Sequence, residues 1–173
     1  FSGSSYNVPH NRAAAEFIIT KLMPRLRVTC PGRFEVHITG AKLPDDLKTK
    51  VESDVHVRGY IPFEEMNAFF DDMDIALTPS FFGAGMQQKI FEPLARGFPA
   101  VIMSRGLAGY PFEIGVEYLS ANSEEDFVDA LKKLQDDEVR DAFGKRARLK
   151  GEQLFGQASL DRIVSEALAD AQK

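Results

Sequence analysis

The sequence predicts a doubly wound α/β fold, in which a Rossmann-like parallel sheet of about six strands has helices on both faces. Short apolar segments alternate with amphipathic helical segments along the chain, as in successive βαβ units. The segments 74–79 and 99–103 lack polar alternation, which is typical of strands buried on both faces. Glycine or proline follows most of the predicted strands, where the chain must turn into the next helix.

The elements follow from the apolar pattern in chain order. A first strand at Phe1–Gly3 leads through a polar loop to Asn11, which is expected to cap a helix interrupted near Pro24. A capping box formed by Ser123 and Asp126 predicts the start of a later helix. The other strands are predicted at 34–40, 55–59, 74–79, 99–103 and 117–121. Helices are predicted at 63–73, 86–96, 137–149 and around 160–168, with a short one after Pro44.

Length and composition are those of one globular domain. The chain has 173 residues, of which 44% are hydrophobic and 27% charged, so we expect a single domain over 1–173 with C-terminal helices at about 138–172. The net charge of −5 argues against general nucleic-acid binding, which needs a basic surface. A lone cysteine, Cys30, excludes an internal disulfide, and a reducing cytoplasm is the expected compartment.

Ligands of doubly wound sheets bind at the carboxyl ends of the strands, where strand order reverses. The segment Gly83–Pro99 follows such a strand end and combines two glycines with a helix start, which suits an anion. Lys89 and Glu92 lie three positions apart on that helix and share a face, and a cation beside a carboxylate at this place suits a nucleoside diphosphate. The alternative is a surface Lys–Glu pair beside a plain glycine hinge.

The run Gly-x-Gly-x-x-x-Lys-x-x-Glu-x-x-Ala-x-Gly-x-Pro, from Gly83 to Pro99, resembles the donor-binding segment of retaining glycosyltransferases of the GT-B fold, in the large group-four family. The segments Phe1–Gly3, Pro9–Asn11, 55–61 and 74–79 agree with that family in order and spacing. The resemblance covers roughly residues 1–154.

The resemblance implies the C-terminal, donor-binding half of a two-domain enzyme that transfers a sugar from a nucleoside diphosphate to an acceptor. Glu92 would hold the ribose hydroxyls, and Lys89 would face the phosphates or support Glu92. The base would lie near residues 59–61, and residues 3–4 would line the inter-domain cleft. The implied donor-binding residues are Gly3, Ser4, Gly59, Tyr60, Ile61, Gly83, Ala84, Gly85, Met86, Lys89 and Glu92.

Two features depart from the family pattern. Many relatives carry a second glutamate eight positions before the one matched by Glu92, and Ala84 stands there in this chain. A phosphate-clamping Arg and Lys after the first strand are not evident, since Arg12, the nearest base, falls on the helix. The candidate cations are therefore Lys89, Arg58 and Arg105.

No cofactor or metal is expected. His10, His37 and His56 show no metal-ligand spacing along the chain, and only His10, in the loop after the first strand, is a candidate ligand contact. No serine nucleophile motif or Walker loop is present. Phe81 and Phe82 are expected to pack in the core rather than line the cleft.

The expected function is transfer of a glycosyl group from a nucleotide sugar, with the chain by itself inactive. Its expected partners are the donor and an N-terminal domain that carries the acceptor site, and catalytic residues are not assigned. The protein is expected in the cytoplasm or at the inner face of the membrane. Any contact with the membrane is expected only through the other domain. The alternatives are a non-catalytic Rossmann-like interaction module and an epimerase-type domain acting on nucleotide sugars.

Overall fold

The computed structural model describes residues 1–82, 88–107 and 109–171. All six predicted strands are present, and every pairing between them is parallel. The strands are β1 (Ser2–Ser5), β2 (Val36–Ala41), β3 (Val55–Gly59), β4 (Ala76–Thr78), β5 (Ala100–Ile102) and β6 (Leu119–Ser120). The α-helices are α1 (Pro9–Phe17), α2 (Met23–Thr29), α3 (Asp45–Lys48), α4 (Met66–Asp71), α5 (Gln88–Arg96), α6 (Glu124–Lys133), α7 (Asp137–Phe155) and α8 (Gln157–Ala171).

The six strands form two three-stranded sheets, in the orders β1-β2-β3 and β4-β5-β6, rather than one continuous sheet. A cleft of about 530 Å³ lies where β1 and β4 would meet, and Ser2 and residues 76–78 are among those that line it. The alternation of strands and helices predicts how many strands there are and their direction. It does not decide whether β1 and β4, far apart in sequence, form hydrogen bonds.

One hydrophobic core nevertheless continues beneath both sheets. Ile38 of the first sheet and Leu77 and Val101 of the second belong to the same cluster of buried side chains, with Phe127 of α6. A second cluster packs α5 and α7 against the other face of β5, through Leu94 and neighbouring residues. Helices on both faces of the second sheet confirm the doubly wound fold.

The first long helical segment contains a widened turn. Between α1 and α2, residues Ile18–Leu22 form a π-helical turn in which the Met23 N–H donates to the Ile18 carbonyl. Pro24 has no N–H, and its ring would clash with the carbonyl four residues earlier in a regular α-helix. The widened turn accommodates it, which confirms that Pro24 disturbs this helix.

The expectation that Asn11 caps the first helix is wrong. The helix begins at Pro9 with Val8 as its N-cap, because proline at the first helical position loses no hydrogen bond and is already in the required conformation. Asn11 therefore lies in the first turn and is buried. Its amide is free to bond groups outside the helix.

Two further expectations about local structure have different outcomes. Ser123 caps α6 through a capping box with Asp126, as predicted. Phe81 contacts the ring of Phe17 edge-on, with 5.2 Å between centroids, but its exposed fraction is 36%. Phe82 is 43% exposed. The expectation that both phenylalanines pack in the core is therefore wrong for Phe82 and only partly right for Phe81.

Candidate functional site

A second cleft, of about 360 Å³, lies where the end of β1, the start of α1 and the first turn of α5 meet. We call it the β1–α5 cleft. All of the described residues that line it are polar: Ser2, Ser4, His10, Asn11, Gln88, Lys89 and Glu92. Its position at the carboxyl end of β1 is where the doubly wound fold predicts a ligand.

The local fold directs β1 side chains into this cleft by alternation. Ser2 and Ser4 lie two positions apart and share one face of the strand, so both line the cleft. Gly3 lies between them and is buried against the ring of Tyr6. At Gly40, where φ is +127°, an added Cβ would lie 1.7 Å from the Gly3 carbonyl oxygen. Gly3 is thus placed where backbones pack closely, outside the cleft lining.

Lys89 is the cation of the cleft. Its Nζ donates to Asn11 Oδ1 at 2.9 Å and lies 5.4 Å from the centroid of the Phe1 ring. Burial lowers the pKa of Lys89 to about 8, because desolvation disfavours the charged ammonium. Near neutral pH the ammonium is still protonated, and its hydrogen bond is to a neutral amide. An anion that enters the cleft would stabilise this charge.

Asn11 fixes the position of that ammonium. Its Nδ2 donates to the Ser5 carbonyl at 3.0 Å, so the amide has a defined orientation with Oδ1 directed to Lys89. Asn11 is only 3% exposed, and the bond joins α1 to α5 across 78 positions of sequence.

His10 stands beside Lys89. Burial and the charge of Lys89 both lower the pKa of His10 below 6.5, so the imidazole is neutral at pH 7. A neutral imidazole offers one donor and one acceptor to a ligand without adding charge.

Glu92 pairs with Arg96 and not with Lys89. Both Nε and Nη2 of Arg96 donate to Glu92 Oε1, at 3.2 and 3.0 Å. Arg96 is held in turn by Asn67, through a 2.9 Å bond, and lies over the Phe70 ring at 4.6 Å. Among the described residues, the contacts of the Glu92 carboxylate involve Oε1, which leaves Oε2 to accept from a hydroxyl in the cleft.

The remaining predicted site residues lie elsewhere. Gly59 ends β3, at the far edge of the first sheet from β1, and Tyr60 beyond it is 73% exposed. Neither these residues nor Ile61 lines the β1–α5 cleft. Gly83, Ala84, Gly85 and Met86 fall outside the described residues. Sequence reasoning did not name Ser2, Asn11 and Gln88 as site residues, although all three lie within segments that carried the family resemblance.

Among the described residues, one group of metal-ligating types comes together, outside this cleft. It consists of Glu35, His37 and His56. Spacing along the chain did not predict this group, because parallel pairing of β2 with β3 places His37 and His56 side by side. No described helix is long and apolar enough to cross a membrane.

A family model described as "Glycosyl transferases group 1" matches residues 1–137. The chain belongs to this family. No curated protein sequence matches the chain. The α/β architecture is that of one Rossmann-like half of the GT-B fold, as predicted.

Solved structures resemble the chain in fold at low sequence identity. TarM matches with a TM-score of 0.72 at 18% identity, covering 95% of this chain and 34% of TarM. A variant of TarM from S. aureus, in complex with fondaparinux, α-GlcNAc-glycerol and UDP, matches with a TM-score of 0.71 at 18% identity, with the same coverage. HepE from Anabaena, in complex with UDP, matches with a TM-score of 0.73 at 14% identity, covering 98% of this chain and 48% of HepE. The chain therefore spans about a third of TarM and about half of HepE.

Proposed function

We propose that this chain is the donor-binding, C-terminal half of a retaining glycosyltransferase, and that its β1–α5 cleft holds a nucleoside diphosphate sugar. The observation that carries the proposal is that the Lys89 ammonium and the Glu92 carboxylate line the same cleft. A partly desolvated ammonium shares the cleft with a carboxylate whose hydrogen bonds, within the part of the chain that the structure describes, involve Oε1 alone, at the carboxyl end of a parallel strand. The ammonium suits the negative charge of a diphosphate, and the carboxylate suits the two hydroxyls of a ribose.

The proposed roles follow from the contacts. Lys89 neutralises charge on the diphosphate, and Asn11 holds its ammonium in place. The hydroxyls of Ser2 and Ser4 supply further donors at the end of β1. Glu92 accepts from the ribose through Oε2 while Arg96 fixes its carboxylate through Oε1. Family membership and the UDP complexes of TarM and HepE support this assignment.

The proposed mechanism is positional and electrostatic. As the glycosidic bond to the sugar breaks, negative charge grows on the leaving diphosphate, and an ammonium already in place stabilises it without reorganisation. The cleft also fixes the orientation of the anomeric carbon towards the acceptor, which lowers the entropic cost of the reaction. The acceptor site and any catalytic base belong to a second domain in this proposal, so the chain alone binds donor without transferring sugar.

Isothermal calorimetry of the 173-residue chain with UDP, GDP and ADP tests the proposal. We expect saturable binding of at least one nucleotide, weakened about 10- to 100-fold by Glu92→Ala, because a hydrogen bond to a charged group contributes about 1.5–3 kcal/mol. Glu166→Ala removes an exposed carboxylate on α8 and serves as the matched control. If no nucleotide bound, or if both variants bound like the parent, the donor-site assignment would be rejected and a non-catalytic module favoured.

A further inference from the structure

A second polar cluster lies on the first sheet, separate from the β1–α5 cleft. His37 of β2 and His56 of β3 are register partners across the parallel pair, and their ring centroids are 4.6 Å apart. Glu35 completes the cluster, with Oε2 at 2.9 Å from His56 Nε2. One ligand atom from each of the three side chains lies within 4.8 Å of the other two.

The backbone pattern brings these three side chains together. Val36 and Ile38 of β2 and Val55 of β3 direct their side chains into the core. Their neighbours Glu35, His37 and His56 therefore share the opposite face. Since β2 and β3 are parallel and in register at His37 and His56, no short sequence motif is needed to form the cluster.

We propose that Glu35, His37 and His56 form a binding site for a divalent first-row transition ion, with zinc as its representative. Two imidazoles and one carboxylate are the donor set that favours zinc or copper over magnesium or calcium, which prefer oxygen ligands. Three protein ligands leave at least one position for water, and Glu35, whose side chain is 69% exposed, keeps that side of the site open to solvent. A bound ion would link β2 to the edge strand β3.

The positive charge of Arg58 lies beside the proposed site and should weaken cation binding there, which can be tested by substitution. Its Nε donates to His37 Nδ1 at 3.1 Å, so its guanidinium occupies one ring nitrogen and adds positive charge beside the site. An ion that binds His37 Nδ1 must displace Arg58. An ion that binds the other ring nitrogen, Nε2, is still repelled by the Arg58 charge. Removing the guanidinium should therefore tighten metal binding, an effect that a mere surface ion-pair network would not produce.

The competing explanation is that Glu35 and His56 form only a solvent-exposed ion pair. Such a pair would contribute little to stability and would hold no metal tightly. The two explanations differ in stoichiometry, in metal preference and in the direction of the Arg58 effect.

Calorimetric titration of the metal-free chain with zinc chloride at pH 7.5 tests the proposal. We expect one equivalent of zinc to bind with micromolar affinity in the presence of millimolar magnesium. His37→Ala and His56→Ala should each weaken it at least about tenfold, and Arg58→Gln should strengthen it several-fold. His10→Ala, the one histidine outside the cluster, should leave zinc affinity unchanged. Circular dichroism would verify that each variant is folded.

A cobalt titration gives an independent readout, because cobalt bound by nitrogen and oxygen ligands in a low-coordinate site absorbs visible light. The band should appear with the parent chain and be lost in His37→Ala/His56→Ala. Binding weaker than millimolar, or binding that survives the double substitution, would overturn the proposal. Neither outcome would affect the nucleotide-binding proposal, which concerns other residues.

Discussion

At the residue scale, the least expected feature is the choice of partner made by Lys89 and Glu92, the two charged residues of α5 that line the cleft. The spacing of Lys89 and Glu92 places them on one helix face, yet Lys89 bonds Asn11 and Glu92 bonds Arg96. Positions three and four apart are both neighbours on a helix, so spacing alone cannot select between Lys89 and Arg96 as the partner of Glu92. The choice depends on Asn11, whose position relative to α5 is set by the tertiary fold.

Replacing Lys89 with Met should weaken UDP binding by about tenfold or more, because one charge-assisted bond to the diphosphate is lost. The same change should shift the midpoint of thermal unfolding only slightly, since removing a charge that burial disfavours offsets the loss of the hydrogen bond to Asn11 Oδ1. Calorimetry and differential scanning fluorimetry measure the two effects. Lys145→Met, at a side chain 78% exposed on α7, is the control.

A fall in UDP affinity together with a marked fall in thermal midpoint on Lys89→Met would contradict this account. It would assign Lys89 a structural role in joining α1 to α5 instead of a role in binding the phosphates.

The lowered pKa of Lys89 also predicts a pH dependence. The ammonium is largely protonated at pH 7 and half deprotonated near pH 8, so UDP affinity should fall by about half between pH 7 and 8 and more steeply above pH 8. The loss should reach at most about tenfold per pH unit, as for release of one proton. His10, whose pKa lies below its ordinary value, is neutral throughout this window and adds no second transition.

Lys89→Arg separates this effect from other titrating groups. The guanidinium stays charged throughout this range, so the variant should bind UDP with little change between pH 7 and 9.5. If the parent and Lys89→Arg lost affinity in parallel, the titrating group would not be Lys89.

At the element scale, α5 carries both charged residues of the cleft and depends on α7 for its position. Gly144 of α7 lies against the Gly97 carbonyl, and Gly151 lies against Ala95. Arg148 Nη1 donates to the Ala95 carbonyl at 3.0 Å, which satisfies a group at the end of α5. Sequence reasoning predicted a charged helix here but not its contact with α5, since glycines inside a helix do not indicate which element packs on them.

Gly144→Ala should destabilise the chain by about 1–3 kcal/mol, because the new Cβ would lie 2.3 Å from the Gly97 carbonyl oxygen and force α5 and α7 apart. UDP affinity should fall as well, since Lys89 and Glu92 move with α5. Denaturant unfolding and calorimetry measure these changes.

The sign of the stability change is the diagnostic. Without a close contact, replacing a helical glycine with alanine stabilises a protein by about 1 kcal/mol. Lys145→Ala, at the next position of α7 and exposed to solvent, is the matched control and should be nearly neutral. A stabilising Gly144→Ala would contradict the close packing of α5 on α7.

At the scale of the whole molecule, hydrophobic patterning predicted the number, order and direction of the strands, because each buried strand and amphipathic helix carries its own periodicity. The separation into two sheets was not predictable, since pairing between β1 and β4 depends on distant contacts. In the candidate site too, some residues could be predicted from local sequence and others depend on tertiary packing. Lys89, Glu92 and Ser4 were predicted from local motifs, whereas Asn11 joins the cleft only when α1 packs beside α5.

An NMR titration would show directly whether the β1–α5 cleft binds a nucleotide. Amide resonances of the isotope-labelled 173-residue chain would be followed during titration with UDP, with GDP and ADP in parallel. We expect saturable shifts concentrated at residues 2–4, 10–11 and 88–92, and their loss in Lys89→Met/Glu92→Ala. Absence of shifts with all three nucleotides at millimolar concentration, or shifts confined to residues outside the cleft, would contradict it.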